Sequence, residues 1–272
     1  MKPRSAPKAG GRRNAPAGDG ERLQKLLSQL GLASRREAEA WIRDGRLSVN
    51  GVPAVLGVRV QPTDQLRLDG RLIRQRSSEE APVFLVHRSP GEPLLPVSGA
   101  TASGIELRTS VAERLPRSAG KRFMSVSPMP AMDGGLELLS ADGRAITQLQ
   151  RAVHGLEAEY SIRVRGELLP GQIEAALRGQ LDSGETLQVK LLEASGGEGA
   201  NRWYRLVALG ASGKQIRQLL ERQAATLSRI LRVRLGTLQL ERDMPRGHWR
   251  ELTPEELDGL LSATNPVHPD AA

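Results

Sequence analysis

Between Leu23 and Gly70 the apolar residues change spacing from helical to extended, and the residues at each change are ones that stop or start elements. Leu23, Leu26, Leu27 and Leu30 lie on one helix face, and Gly31 suits the left-handed position just past a helix end. Ser34 and Glu37 have the spacing of a reciprocal N-terminal cap, which starts a second helix. That helix turns Ala38, Trp41 and Ile42 inward and stops at Gly45. Leu47 and Val49 alternate as a strand, Asn50-Gly51 and Asp69-Gly70 are tight-turn pairs, and Val58, Val60, Leu66 and Leu68 continue short strands. This pattern marks residues 21–75 as a small compact module of two helices and short strands.

The flanks read differently. Residues 1–20 are rich in Pro, Gly, Ala and charge and have no periodicity, so they cannot bury enough apolar surface to offset chain entropy. They are expected to be a disordered basic arm, either a solvated tail or a contact to phosphates. Residues 76–82 form a polar break and are assigned as a linker. From Val83 to Leu257 short strands and helices mix, and residues 258–272 are expected to be a tail. In this stretch Tyr160, Ile162 and Val164 alternate on one face, while Arg163 and Arg165 point the other way. Ala141-Asp142-Gly143 reads as a turn after the apolar strand Leu136–Leu139, and Gln215–Gln223 reads as a helix. The fold class is therefore α+β in two parts.

Composition narrows the chemistry. With no cysteine, the chain has no disulfide, zinc ribbon or thiol nucleophile. The four histidines (His87, His154, His248 and His268) share no metal-ligand spacing, and neither metal nor cofactor is expected. Gly196, Gly197 and Gly199 lack the Gly-Lys-Ser/Thr ending of a phosphate loop. No apolar run is long enough to span a bilayer, so a cytoplasmic protein is expected. A net charge of +8 favours a polyanionic partner. Arg35 and Arg36 fall in the first turn of a helix, against its dipole. That placement is explained if they bind phosphate, and Lys25, Arg43 and Arg46 could join the same face.

Arg22-Leu-Gln-Lys-Leu-Leu27, then Gly31-Leu-Ala-Ser-Arg-Arg-Glu-Ala-Glu39, then Ile42-Arg-Asp-Gly-Arg-Leu-Ser-Val-Asn-Gly51 resemble the S-four type RNA-binding domain. The resemblance implies binding to structured RNA, with Lys25, Arg35, Arg36, Arg43 and Arg46 facing phosphates.

The remainder is similar to the RsuA/RluB-type ribosomal-RNA pseudouridine synthases, a mixed, mostly antiparallel-sheet fold preceded by the same module. Their motif Gly-Arg-Leu-Asp-x-x-Thr-x-Gly-Leu-Leu-Leu-Leu-Thr-x-Asp-Gly aligns without a gap on Ser127 to Gly143. Glu157-Ala-Glu-Tyr160 and Ser212-Gly-Lys-Gln-Ile-Arg217 match two further segments. The resemblance implies that Tyr160 stacks on a base and that Lys214 and Arg217 contact RNA. It also implies that the family's reactive Asp falls on Pro130, whose side chain has neither charge nor acceptor. The Gly-Arg before it is Ser127-Pro128, and the Lys of the early Asn-Lys-Pro segment is Ser89. Lys-to-Ala at Ala158 and Arg-to-Lys at Lys214 complete the set. Asp133, at the family's Thr, is not expected to stand in for the missing acid, and Glu137, at a family Leu, is expected to be exposed or paired.

These readings lead to an expected RNA-binding protein, with ribosomal RNA as its partner, that lacks isomerase activity and acts as a monomer. Two alternatives stay open: an active synthase with a relocated acid such as Asp133, and a ribosome-assembly scaffold. Trp203 and Trp249 are expected in the core.

Overall fold

Ser34 accepts a hydrogen bond from the Glu37 backbone N–H while the Glu37 carboxylate accepts one from the Ser34 N–H, both at 3.2 Å, so the reciprocal cap fixes where the second helix begins. The computed structural model describes residues 20–74, 81–96, 109–116, 122–197 and 199–262. The basic arm at 1–19 and most of the 76–82 linker lie outside the described residues. The chain divides into two units, Met1–Ser78 and Glu79–Ala272.

In the first unit, β1 (Glu21–Arg22) leads into α1 (Leu23–Gln29) and α2 (Arg35–Arg43). β2 (Leu47–Val49), β3 (Val52–Pro53), β4 (Arg59–Val60), β5 (Leu66–Leu68) and β6 (Arg71–Ile73) follow. The sheet order is β3-β2-β5-β6, with β1 paired to β4. Asn50 and Asp69 take positive φ at the two turns, as the Asn-Gly and Asp-Gly pairs require. Leu23, Leu27, Ala38, Ile42, Leu47, Val60 and Leu66 form its core.

The second unit is built on one mixed sheet. Its strands are β7 (Val83–Arg88), β8 (Met124–Val126), β9 (Gly134–Ser140), β10 (Glu157–Arg165), β11 (Gln188–Gly196), β12 (Asn201–Leu209), β13 (Leu227–Leu235), β14 (Leu238–Gln239) and β15 (Trp249–Glu251). Their order is β11-β12-β10-β13-β9-β7-β15, with β14 on β13 and β8 on β9. Among the described residues only β9 and β13 pair as parallel strands. The helices are α3 (Val111–Arg114), α4 (Gly143–Ala152), α5 (Pro170–Leu177), α6 (Gly213–Glu221) and α7 (Pro254–Ser262). Ile146 and Leu149 of α4 and Ile216, Leu219 and Leu220 of α6 join Ile162, Leu206, Leu138 and Ile230 in the main core.

Three expectations change. Asp142 is not a simple turn former: its carboxylate accepts the Arg144 and Ala145 backbone N–H groups at 2.8 and 3.4 Å and caps α4, a helix the sequence pattern did not reveal. The second unit also runs past residue 257, because Leu260 of α7 is fully buried and Leu257 and Leu261 pack on the core. Trp203 is half-buried on the outer sheet face rather than in the core, whereas Trp249 packs edge-on against Phe84 at 5.3 Å. Among the described residues no helix is long and apolar enough to cross a membrane.

Candidate RNA-binding and active site

The segment Ser127–Asp133 connects β8 to β9. Three buried charged side chains hold it. Arg88, at the end of β7, donates from Nε to Glu137 Oε1 at 2.9 Å, and Arg232 of β13 donates from Nη2 to Glu137 Oε2 at 3.2 Å. Arg88 also donates from Nη2 to the Met129 and Pro130 carbonyls at 2.8 and 2.9 Å. Arg232 donates to the Leu136 and Ser127 carbonyls, each at 2.9 Å. The Met129 backbone N–H closes the arrangement onto Glu137 Oε1 at 3.1 Å. Arg88 and Arg232 are each 1% exposed and Glu137 is 0% exposed, so this is a dry Arg–Glu–Arg cluster gripping a loop by its backbone. Burial pushes the Glu137 carboxyl above the usual carboxylate range, opposed by the guanidiniums of Arg232 and Arg88.

A β-bulge aims Arg232 inward. Glu159 pairs with Arg234 but Tyr160 pairs with Arg232, so one extra residue, Val233, lies on β13 between the two pairs. Arg234 therefore faces outward beside Glu159, and Arg232 faces the core beside Tyr160. Strict alternation would have put both arginines on the same face, which is why sequence reasoning missed Arg232. A charged residue inside the otherwise apolar β9 was the available signal for Glu137, which the structure places buried and paired.

Asp133 sits at the end of the same loop with 0% exposure. Arg217 of α6 binds it through both forks, Nε to Oδ2 at 2.8 Å and Nη2 to Oδ1 at 2.6 Å. The Ile230 backbone N–H donates to Oδ1 at 2.8 Å. Arg217 is thereby committed to Asp133 and to Glu221, at 3.0 Å, rather than free for phosphate. Pro130 packs toward the start of α6: a Cβ added to Gly213 would collide with the Met129 side chain and lie 3.1 Å from the Pro130 ring. Lys214, in the first turn of α6, is exposed.

Tyr160 is 0% exposed, and its hydroxyl donates to the Ala211 carbonyl at 2.6 Å. The ring offers no open face for a base in this conformation. Burial pushes its phenol up to about 12.

In the first unit the expected basic residues are all exposed but are engaged differently. Lys25 pairs with Glu21 at 2.7 Å and Arg43 with Glu39 at 3.7 Å. Arg46 grips Asp69 through Nε at 3.0 Å and Nη2 at 2.6 Å, and its guanidinium lies 5.4 Å from the Trp41 ring centroid. The Arg46 hydrogen bond holds Asp69 below the usual carboxylate range. Arg35 and Arg36, at the start of α2, form no salt bridge among the described residues.

The first unit and the sheet of the second together define an S4 domain followed by a pseudouridine-synthase fold. The S4 domain family matches residues 21–66. A solved structure of a pseudouridylate synthase superposes with a TM-score of 0.55 at 18% identity, covering 88% of this chain and 99% of that one. The chain belongs to the family of the ribosomal large subunit pseudouridine synthase B proteins. It is 36% identical over 244 residues to that protein of Pseudomonas aeruginosa, covering 89% of this chain and 62% of the relative. It is 36% identical over 251 residues to that of Yersinia pestis, covering 90% of this chain and 74% of the relative. The chain thus spans less than two thirds of the Pseudomonas relative's length.

Proposed function

We propose that this chain binds large-subunit ribosomal RNA and does not isomerise uridine. The binding half is supported by the S4 domain, by the exposed Arg35 and Arg36, and by relatives named as ribosomal large subunit pseudouridine synthases. The non-catalytic half is carried by one observation. Pro130 stands where the family resemblance puts the reactive carboxylate, and the next carboxylate along the chain, Asp133, is fully buried with both oxygens occupied. A group that begins breaking the uracil–ribose bond must present an oxygen to the nucleoside, and these oxygens face a guanidinium and a backbone N–H instead.

A second reading is favoured by the same pairing: Arg217 holds a carboxylate three residues from Pro130 in a chain whose relatives are named as synthases. Tritium release from large-subunit ribosomal RNA labelled at uridine C5 separates the two. The expected result is no release above background from preparations that retain RNA in a filter-binding assay. Release that disappears in Asp133→Asn would establish the second reading.

A further inference from the structure

The outer face of the second unit's sheet is electrostatically split. Toward one end every outward cation has an acid: Lys190 pairs with Glu157 at 2.5 Å, Arg205 with Glu159 at 2.9 Å and Glu193 at 3.4 Å, and Arg234 with Glu157 and Glu159 at 3.4 Å each. The Arg205 hydrogen bond holds Glu159 below the usual carboxylate range. Toward the other end the pattern inverts. Arg163 of β10 lies directly opposite Trp203 of β12 on one side and Arg229 of β13 on the other. Arg165, two residues on, shares that face.

Like charges placed directly across a strand pair destabilise it, and among the described residues no acid pairs with Arg163, Arg165 or Arg229. The Arg163 Nε is buried without a hydrogen-bond partner among those residues, and its guanidinium lies 6.0 Å from the Trp203 ring centroid. Trp203 itself is half-buried, with its indole beside the Arg163 guanidinium.

We propose that Trp203, Arg163, Arg165 and Arg229 form a second RNA-binding surface, which takes a single-stranded segment. The arginines would neutralise phosphates, and the Arg163–Trp203 pair would supply a stacking platform for a base. Unopposed guanidiniums complement a polyanion, and an indole flanked by cations is the arrangement that accepts any base through its π face. This surface is distinct from the Pro130 site: Tyr160, Ile162 and Val164 face the core, and Arg163 and Arg165 occupy the alternate positions on the opposite face. The proposal rests on the RNA-binding reading above and adds where in the second unit the RNA lies.

The test uses the full chain and a transcript of large-subunit ribosomal RNA, with affinity measured as a function of salt. Three variants are compared: Arg165→Gln/Arg229→Gln, Trp203→Ala with Trp203→Phe as its aromatic control, and Arg35→Ala/Arg36→Ala. The first is expected to reduce the slope of log affinity against log salt by roughly 1.5, for two lost phosphate contacts. Trp203→Ala is expected to weaken binding about tenfold, with Trp203→Phe recovering most of it. Ultraviolet crosslinking should attach RNA to β10, β12 or β13. If slope and affinity are unchanged in the Arg165/Arg229 variant while Arg35→Ala/Arg36→Ala weakens binding, the second surface is refuted and the RNA-binding reading survives. If the unaltered chain binds no RNA, both fall together. RNA crosslinks confined to the first unit, with none to β10, β12 or β13, would also overturn the proposal.

Discussion

Replacing Glu137 tests whether the buried cluster holds the loop, and its size can be worked out from the contacts. Glu137→Leu removes the carboxylate that accepts Arg88 Nε at 2.9 Å, Arg232 Nη2 at 3.2 Å and the Met129 N–H at 3.1 Å. Two guanidiniums that are 1% exposed then share the interior without a counter-charge. Breaking a buried ion pair from one side costs ~3–5 kcal/mol. The orphaned Met129 N–H adds about 1 kcal/mol, partly offset because leucine suits the apolar faces of β9. A net loss of about 4 kcal/mol in a unit the size of Glu79–Ala272 lowers Tm by roughly 10 °C. Glu137→Gln keeps one acceptor oxygen but loses the charge and the second acceptor, so its loss should be smaller than that of Glu137→Leu. Trp203 and Trp249 report this unit's unfolding by fluorescence once Trp41 is replaced by Phe. A Glu137→Leu variant within about 1 kcal/mol of the parent, or more stable than it, would refute the view that the acid is needed to hold the two arginines.

Three further outcomes follow from the same geometry. Asp133→Asn should cost ~3 kcal/mol in urea unfolding, since Arg217 loses its bidentate partner but keeps Glu221; an unchanged midpoint would show the pair to be dispensable. Arg35→Ala/Arg36→Ala should weaken binding to ribosomal RNA more than Lys214→Ala in filter binding, and the reverse order would move the principal contact to the second unit. Because the Tyr160 phenol is raised to about 12 when folded, its contribution to stability is complete below about pH 10 and is lost as pH rises through 12. Urea titrations at pH 9 and 11 should therefore show a steeper loss for the parent than for Tyr160→Phe, and equal losses would contradict the assignment.

Much of the fold could be read locally. The Ser34–Glu37 cap, the Asn50-Gly51 and Asp69-Gly70 turns and the in-out alternation of Tyr160 to Arg165 each depend on residues close in sequence, and each stands where the spacing put it. The α4 start was ambiguous because the residues that signal a turn also cap helices, and only the apolar spacing of Ile146, Leu149 and Ala152 decides between them. The site was harder. The Arg88–Glu137 pair joins residues 49 apart, and Arg217–Asp133 residues 84 apart, separations at which a single sequence carries no pairing signal. The bulge that turns Arg232 inward has no marker residue such as glycine, so its register could not be anticipated. On the outer face, Arg163 and Arg165 were placed correctly by alternation, while their alignment with Arg229 and Trp203 needed the strand register.

Arg88 donates to the carbonyls of Met129 and Pro130, from a strand more than forty residues upstream. The peptide units that carry these two carbonyls are thus tied down from outside the loop. A substitution at position 130 alone would leave both carbonyls held by Arg88, so the path of the loop is set by β7 as much as by the residues of the loop itself.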